Sequence, residues 1–361
     1  MDNRFKYMLF ALLVVWLSPH PCKACTTFLL SHKGNSVVGK NHDWMVDDGM
    51  IIVNKRGMLK TACFRKRVNG RPAVWTSKYG SVTFNQYGRE LPSGGMNETG
   101  LVVEEMTLVA TRYSEPDLRP GILALQWIQY QLDNSRTVED VIASDSKVRI
   151  VPGMGNGLHY FCTDSKGDSA VIEFLNGKLV YHTKDSLRFN VLTNNTYKDL
   201  VTYFENNEKL EKQYPMKAGN DSISRFLRAA SMVEKYKIKS SKPIIDYAFD
   251  ILSNVSQGIP TKWSIVYDLN NFRVYFKTYS NPQRRFFDFH SFDLSCLEPI
   301  KILDINASFK GDVTRHFRNY TRQINYDLIR NSFKKTTFIN EMPEEAFKRL
   351  ARYPDSSSCT Q

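Results

Sequence analysis

The stretch "PHPCKACTTFLL", residues 19–30, decides how this chain is read. A cysteine follows directly on Ala24, the small residue that closes a secretion-type leader. Upstream, Arg4 and Lys6 form a basic start, "YMLFALLVVWL" is an apolar run, and Pro19 and Pro21 break it. Cys22 and Ala24 then occupy the minus-three and minus-one positions of a small-x-small cleavage site. The apolar run falls short of the roughly 20 residues of a membrane helix, and no later stretch approaches that length. Residues 1–24 are therefore expected to be removed as a signal peptide, leaving an exported protein, periplasmic or secreted, without a stable membrane span. A lipid-anchored binding protein would also begin on cysteine. A lipobox, however, wants a Leu-like residue three positions before it, and Cys22 stands there.

A cut after Ala24 makes Cys25 the first residue, with a thiol and a free amine on one carbon. Free cysteine titrates near about 8.5, so its sulfur needs an activator. An α-amine titrates at about 7.7–8.0 and can take the thiol proton, then return it to a leaving amine. Nucleophile and base would arrive together, and no catalytic histidine is required. His32, His42 and His159 lack any local signature of a cysteine–histidine pair and read as structural.

The 361 residues carry a formal net charge of +12. The basic residues are scattered, which describes a mixed solvated surface, and no nucleic-acid-binding motif accompanies them. Five cysteines remain after residue 24: Cys25, Cys63, Cys162, Cys296 and Cys359. The odd count leaves at least one free thiol, with Cys25 the obvious one. Disulfides are open to an exported chain, although spacing does not reveal the pairing. Without CxxC spacing a zinc site is not expected, and neither is an organic cofactor.

Outward from Cys25, "CTTFLLS" and "SVVGKNHDW" read as strands around the turn "HKGN", followed by "SVTFNQ" and "GLVVEEMTLV". "GILALQWIQYQLDNS" has helical spacing after Pro120, and "TVEDVIAS" adds a helix capped by Thr137. Strands resume at "GLHYFCTD", "SAVIEF" and "KLVYHT", the last two joined by Asn176-Gly177, a strong hairpin signal. After "FNVLTNN" come the helices "SISRFLRAASMVEKY" and "PIIDYAFDILSNV", then a hairpin in "KWSIVYDLNNFRVYFKTY". Strand runs at both ends with helices grouped between them indicate an α+β fold in one domain, residues 25–361. A helical extension is expected from about residue 300, and "SSSCTQ" reads as a loose tail.

"CTTF", "GKNHDW", "MNETGL", "LTNN" and "SRFLRAA", in that order and spacing, resemble the choloylglycine hydrolase and penicillin V acylase family of N-terminal-nucleophile cysteine amidases. The resemblance runs from Cys25 to roughly residue 280. It implies a four-layer αββα sandwich of two antiparallel sheets, no cofactor, frequent homo-oligomers, and hydrolysis of the linear amide of a small N-acyl compound through a Cys25 thioester. Conjugated bile salts lead the substrates it suggests; penicillin V-type and fatty-acyl amides follow. By the same resemblance Asp43 holds the α-amine, Asn194 (with Asn195 as the register alternative) belongs to the oxyanion hole, and Arg225 supports the nucleophile. Arg228, one turn along, is placed to contact the same region.

Two positions depart from the family pattern. Lys40 replaces an arginine, keeping charge but losing the planar fork. Thr107 replaces the asparagine of bile-salt hydrolases or the tyrosine of penicillin acylases, leaving its backbone N–H for the oxyanion. Trp44 reads as pocket wall or core. Glu104 and Glu105 point to opposite faces of one strand, so at most one lines a polar pocket and the other is expected in solvent.

Overall fold

The segment that follows Cys25 folds back on itself. Strand Thr26–His32 turns at Lys33 and Gly34, both at positive φ, as a two-residue hairpin of this twist requires. It returns as Asn35–Asp43, buried from Val37 onward. These coordinates are a computed structural model that describes residues 25–361 except 65–69, 154–156, 212–218, 240, 338, 340 and 361. The expected signal peptide lies outside the described residues.

The hairpin sits near one end of a seven-stranded sheet. Its spatial order is Val191–Leu192, Thr26–His32, Asn35–Asp43, Thr261–Asp268, Arg273–Thr278, Arg285–Asp288 and Gly311–Asp312. Only the last pair is parallel. A second sheet has nine strands, all antiparallel to their neighbours. They run Lys178–Thr183, Ser169–Leu175, Leu158–Thr163, Val102–Thr107, Pro92–Asn97, Ser81–Asn85, Met50–Asn54, Lys301–Asp304 and Arg318–Asn319.

Both sheets are apolar on their facing sides, so they stack. Phe84 of the nine-stranded sheet meets Tyr267 and Phe276 of the other edge-on, at 6.1 and 6.3 Å between ring centroids. Burying each such ring contributes about 1.5–3 kcal/mol. Helices Ser222–Lys239 and Ile244–Asn254 cover the outside of the seven-stranded sheet, and Ala124–Asn134 packs on the nine-stranded one. The expected αββα layering is present. Ala124–Asn134 begins four residues after Pro120, because Gly121–Leu123 first pairs with Arg149–Val151 as a short parallel ribbon. Thr137 caps the next helix through a reciprocal capping box with Asp140. Asn176 and Gly177 take the positive φ values their hairpin needs.

The late helices are Arg322–Lys335 and Glu344–Arg352. The loose tail expected from "SSSCTQ" is not what forms. Ser358–Cys359 pairs antiparallel with Met58–Leu59, and Cys359 is disulfide-bonded to Cys296. A link across 63 residues stabilises by about 4 kcal/mol on chain-entropy grounds. Cys25, Cys63 and Cys162 are free. No described helix is long and apolar enough to cross a membrane.

Candidate active site

Cys25 opens the first strand and is buried. Its Sγ lies 3.9 Å from the carbonyl oxygen of Asp43, because Thr26 pairs with Asn41 and brings the two ends of the hairpin together. Burial pushes the thiol up to about 12, with the Lys40 charge pulling the other way. The Asp43 carboxylate accepts hydrogen bonds from the Thr261 hydroxyl and, at 2.8 Å, from Gln257 Nε2. Burial still raises its pKa, against the opposing effect of Arg225 and those hydrogen bonds.

Arg225 reaches inward from helix Ser222–Lys239 and is fully buried. Its guanidinium donates to the Cys25 carbonyl at 2.7 Å, to Thr26 Oγ1 at 2.6 Å and to Asn194 Oδ1 at 3.1 Å. Held by that contact, the Asn194 amide donates from Nδ2 to the Thr107 carbonyl at 2.9 Å. One N–H of the amide group remains for another acceptor. These contacts to Arg225 and Thr107 are made by Asn194. Thr107 meets the site through its carbonyl oxygen. Arg228 faces elsewhere, donating to Gly219 O and Asn254 Oδ1 at 2.6 and 3.1 Å. One helical turn carries it away from Cys25, so its expected share in the site is not realised.

Lys40 is buried between the sheets, hydrogen-bonded to the Glu105 carbonyl, with Nζ 3.6 Å from Glu104 Oε2. Burial opposes its charge, but Cys25, Glu104, Glu105 and Asp43 outweigh that and hold it above the ordinary lysine range. Burial pushes Glu104 up to about 7, partly offset by Lys40 and by the Tyr267 hydroxyl. Gly94 on the neighbouring strand makes room for this carboxylate, since a Cβ there would fall 2.2 Å from its oxygen. The solvated glutamate anticipated for this pair does not exist. Glu105 is also buried, because both faces of the strand are covered.

His42, read from the sequence as structural, is buried beside Cys25. It stacks on Trp263 at 4.4 Å, and its Nδ1 lies 3.8 Å from Glu105 Oε1. Cys25 Sγ, a His42 ring nitrogen and a Glu105 oxygen all fall within 4.8 Å of one another, the one such donor cluster among the described residues. Burial and the Lys40 charge drive His42 down to about 3, so the ring is neutral. A signal did exist: Lys40 and His42 are two apart on one strand and share a face. His159 is structural, 3.2 Å from Glu173, and His32 packs against Tyr236.

Beside this cluster opens a cavity of about 680 Å³. His42, Trp44, Glu105 and Thr107 line its polar side, and Tyr87, Leu125, Leu158, Phe333 and Ile339 its apolar walls. Trp44 is thus pocket wall. Its Nε1 donates to Tyr87 OH at 2.6 Å, and that hydroxyl is 2.8 Å from Thr336 Oγ1. The chain of bonds ties the loop after Asp43 to the end of helix Arg322–Lys335.

Two stacked sheets between helices, with a buried cysteine opening the first strand, define an N-terminal-nucleophile type of hydrolase architecture. Residues 25–302 match the family of linear amide C-N hydrolases, choloylglycine hydrolase family, and the chain belongs to it. It is 30% identical over 248 residues to a penicillin V acylase of Pectobacterium atrosepticum, covering 58% of this chain and 65% of that protein. This chain therefore matches slightly less than two thirds of that relative's length. The structure of penicillin V acylase from Agrobacterium tumefaciens superposes with a TM-score of 0.71 at 27% identity, covering 82% of this chain and 98% of that one. A variant of conjugated bile acid hydrolase from Clostridium perfringens shares the fold, with a TM-score of 0.66 at 23% identity over 79% and 98% of the two chains.

Proposed function

We propose that the mature protein is an exported amidase that splits N-acyl amides with a bulky apolar acyl group, using Cys25 as nucleophile and its own α-amine as base. The observation that carries this reading is the Arg225 grip, which joins the Cys25 carbonyl to the Asn194 amide across the fold. It holds the nucleophilic residue and an N–H donor together around one small space.

The thiol gives its proton to the α-amine, and sulfur attacks the acyl carbonyl carbon. The resulting oxyanion accepts from Asn194 Nδ2, in a dry site where such a donor is worth about 2.7–4 kcal/mol. Collapse breaks the C–N bond, the leaving amine takes the proton from the α-ammonium, and the acyl group remains as a thioester on Cys25. Water, deprotonated by the same amine, then attacks the thioester, releasing the acid and restoring the thiol. The Asp43 carboxylate orients the ammonium form, and Lys40 favours the thiolate. Burial alone leaves the thiol hard to ionise, which favours a proton acceptor carried on the reacting residue itself.

Export is supported by the disulfide between Cys296 and Cys359, a bond that persists in oxidising compartments. A cavity of about 680 Å³ with apolar walls suits phenoxyacyl amides and conjugated bile salts alike. The likeness to penicillin V acylases in sequence as well as fold puts phenoxyacyl amides first for assay, ahead of bile-salt conjugates and fatty-acyl amides.

The test is release of amine from that panel by protein whose N-terminal sequence starts at Cys25. Turnover is expected with at least one compound, and Cys25→Ala is expected to abolish it. A protein carrying one extra residue before Cys25 should be equally silent. Full activity in that blocked form would exclude the α-amine as base.

A further inference from the structure

We propose that Cys25, His42 and Glu105 form a binding site for one thiophilic divalent cation of the zinc class, which occupies the nucleophile and so shuts the enzyme off. The regulatory half of this statement rests on the function proposed above; the binding half does not.

The donor set is the one zinc prefers, a thiolate, an imidazole and a carboxylate. Their ligating atoms lie within 4.8 Å of one another, and His42 Nδ1 is 3.8 Å from Glu105 Oε1. Donors around a tetrahedral zinc, with bonds of about 2.0–2.3 Å, stand roughly 3.3–3.7 Å apart. Side-chain adjustments on the order of 1 Å would bring these three into that geometry. The imidazole is already held against Trp263. Neither of its buried ring nitrogens makes a well-formed hydrogen bond, which leaves a nitrogen available to ligate.

Charge argues the same way. Among the described residues, the acidic side chains of Cys25, Asp43, Glu104 and Glu105 are buried, as are the cationic ones of Lys40 and Arg225. A dication bound to the ionised thiol and Glu105 offsets their charge, and the thiol proton leaves to solvent. After cleavage the Cys25 amine becomes a fourth donor, closing a five-membered chelate with its own sulfur. The site opens on the substrate cavity through His42 and Glu105, so a cation enters by the same route as substrate and excludes it. The ligands come from three strands in two sheets, which is why cysteine spacing shows no trace of the site.

Cobalt(II) titration of the mature protein tests this directly. A near-ultraviolet sulfur-to-cobalt charge-transfer band is expected, displaced by zinc and absent in Cys25→Ala. His42→Met and Glu105→Gln, each checked for folding by circular dichroism, should weaken cobalt binding by about tenfold or more. A folded wild-type protein without the band overturns the proposal. So does unchanged affinity in both substitutions, which would mean that the cysteine chelates metal by itself. An amide assay on the same preparation separates the two readings. Hydrolysis without the band leaves the proposed function standing and removes the metal site. A band that depends on His42 and Glu105 in a protein that splits no amide keeps the site and removes the function.

Discussion

Replacing Asn194 with Ala removes the proposed oxyanion donor while leaving the Arg225 contacts to Cys25 and Thr26 in place. The expected result is a fall in kcat of roughly 100- to 1000-fold with little change in KM. A loss smaller than tenfold in steady-state kinetics would place the oxyanion elsewhere. Glu104 makes a pH prediction. Its folded carboxyl is raised from 4.5 to about 7, so between those values the unfolded chain loses the proton first. Stability therefore falls as pH rises through that window. Glu104→Gln should flatten the dependence of the urea midpoint on pH there, whereas parallel profiles would contradict the assignment. Cys25, Asp43, Asn194 and Arg225 were singled out because each sits in a short motif whose order along the chain resembles the family, and the fold brings them together. His42 and Glu105 were not. Each looks ordinary on its own strand, and their meaning comes from meeting across two sheets.

The C-terminal helices illustrate what an element contributes beyond its own stability. Residues 322–352 lie outside the stretch that matches the family, 25–302. Phe333 and the loop residue Ile339 nevertheless form one wall of the cavity beside Cys25. Ile339→Ala removes three carbons from that wall, worth up to about 2 kcal/mol of apolar contact with a ligand that fills it. KM for a bulky acyl amide should rise by up to roughly 30-fold with kcat nearly unchanged, and small acyl amides should be affected little. Equal effects on both would show that acyl groups do not reach this wall. Helical periodicity made an extension in this region foreseeable. Its docking against Tyr87 and the loop after Asp43 was not, since that contact joins segments more than two hundred residues apart.

At the scale of the molecule, a second buried charge cluster ties the short strand Met58–Thr61 to the helix on the nine-stranded sheet. Lys60 Nζ stands 2.8 Å from Glu90 and 2.9 Å from Asp133, all three buried, with Trp75 Nε1 donating to Asp133 at 2.7 Å. Removing one partner of such a group strands the opposite charge without solvent. Lys60→Met should cost about 3–5 kcal/mol in chemical denaturation, while amidase activity of the folded fraction is unchanged. A loss below 1 kcal/mol would show that water already reaches the cluster.

The sequence by itself determined the α+β layering, most of the strands and helices, and the cysteine on which the proposed chemistry turns. Alternation, helical spacing, turn residues and motif order are local properties, and local properties survive in one dimension. Tertiary structure alone decided that both glutamates are buried, that the tail is pinned by Cys296, and that Arg225 rather than Arg228 faces the nucleophile. It also decided that a neutral histidine and a carboxylate flank the thiol. Those outcomes depend on which faces of distant segments are brought together and shut off from water, and burial is a property of the assembled fold.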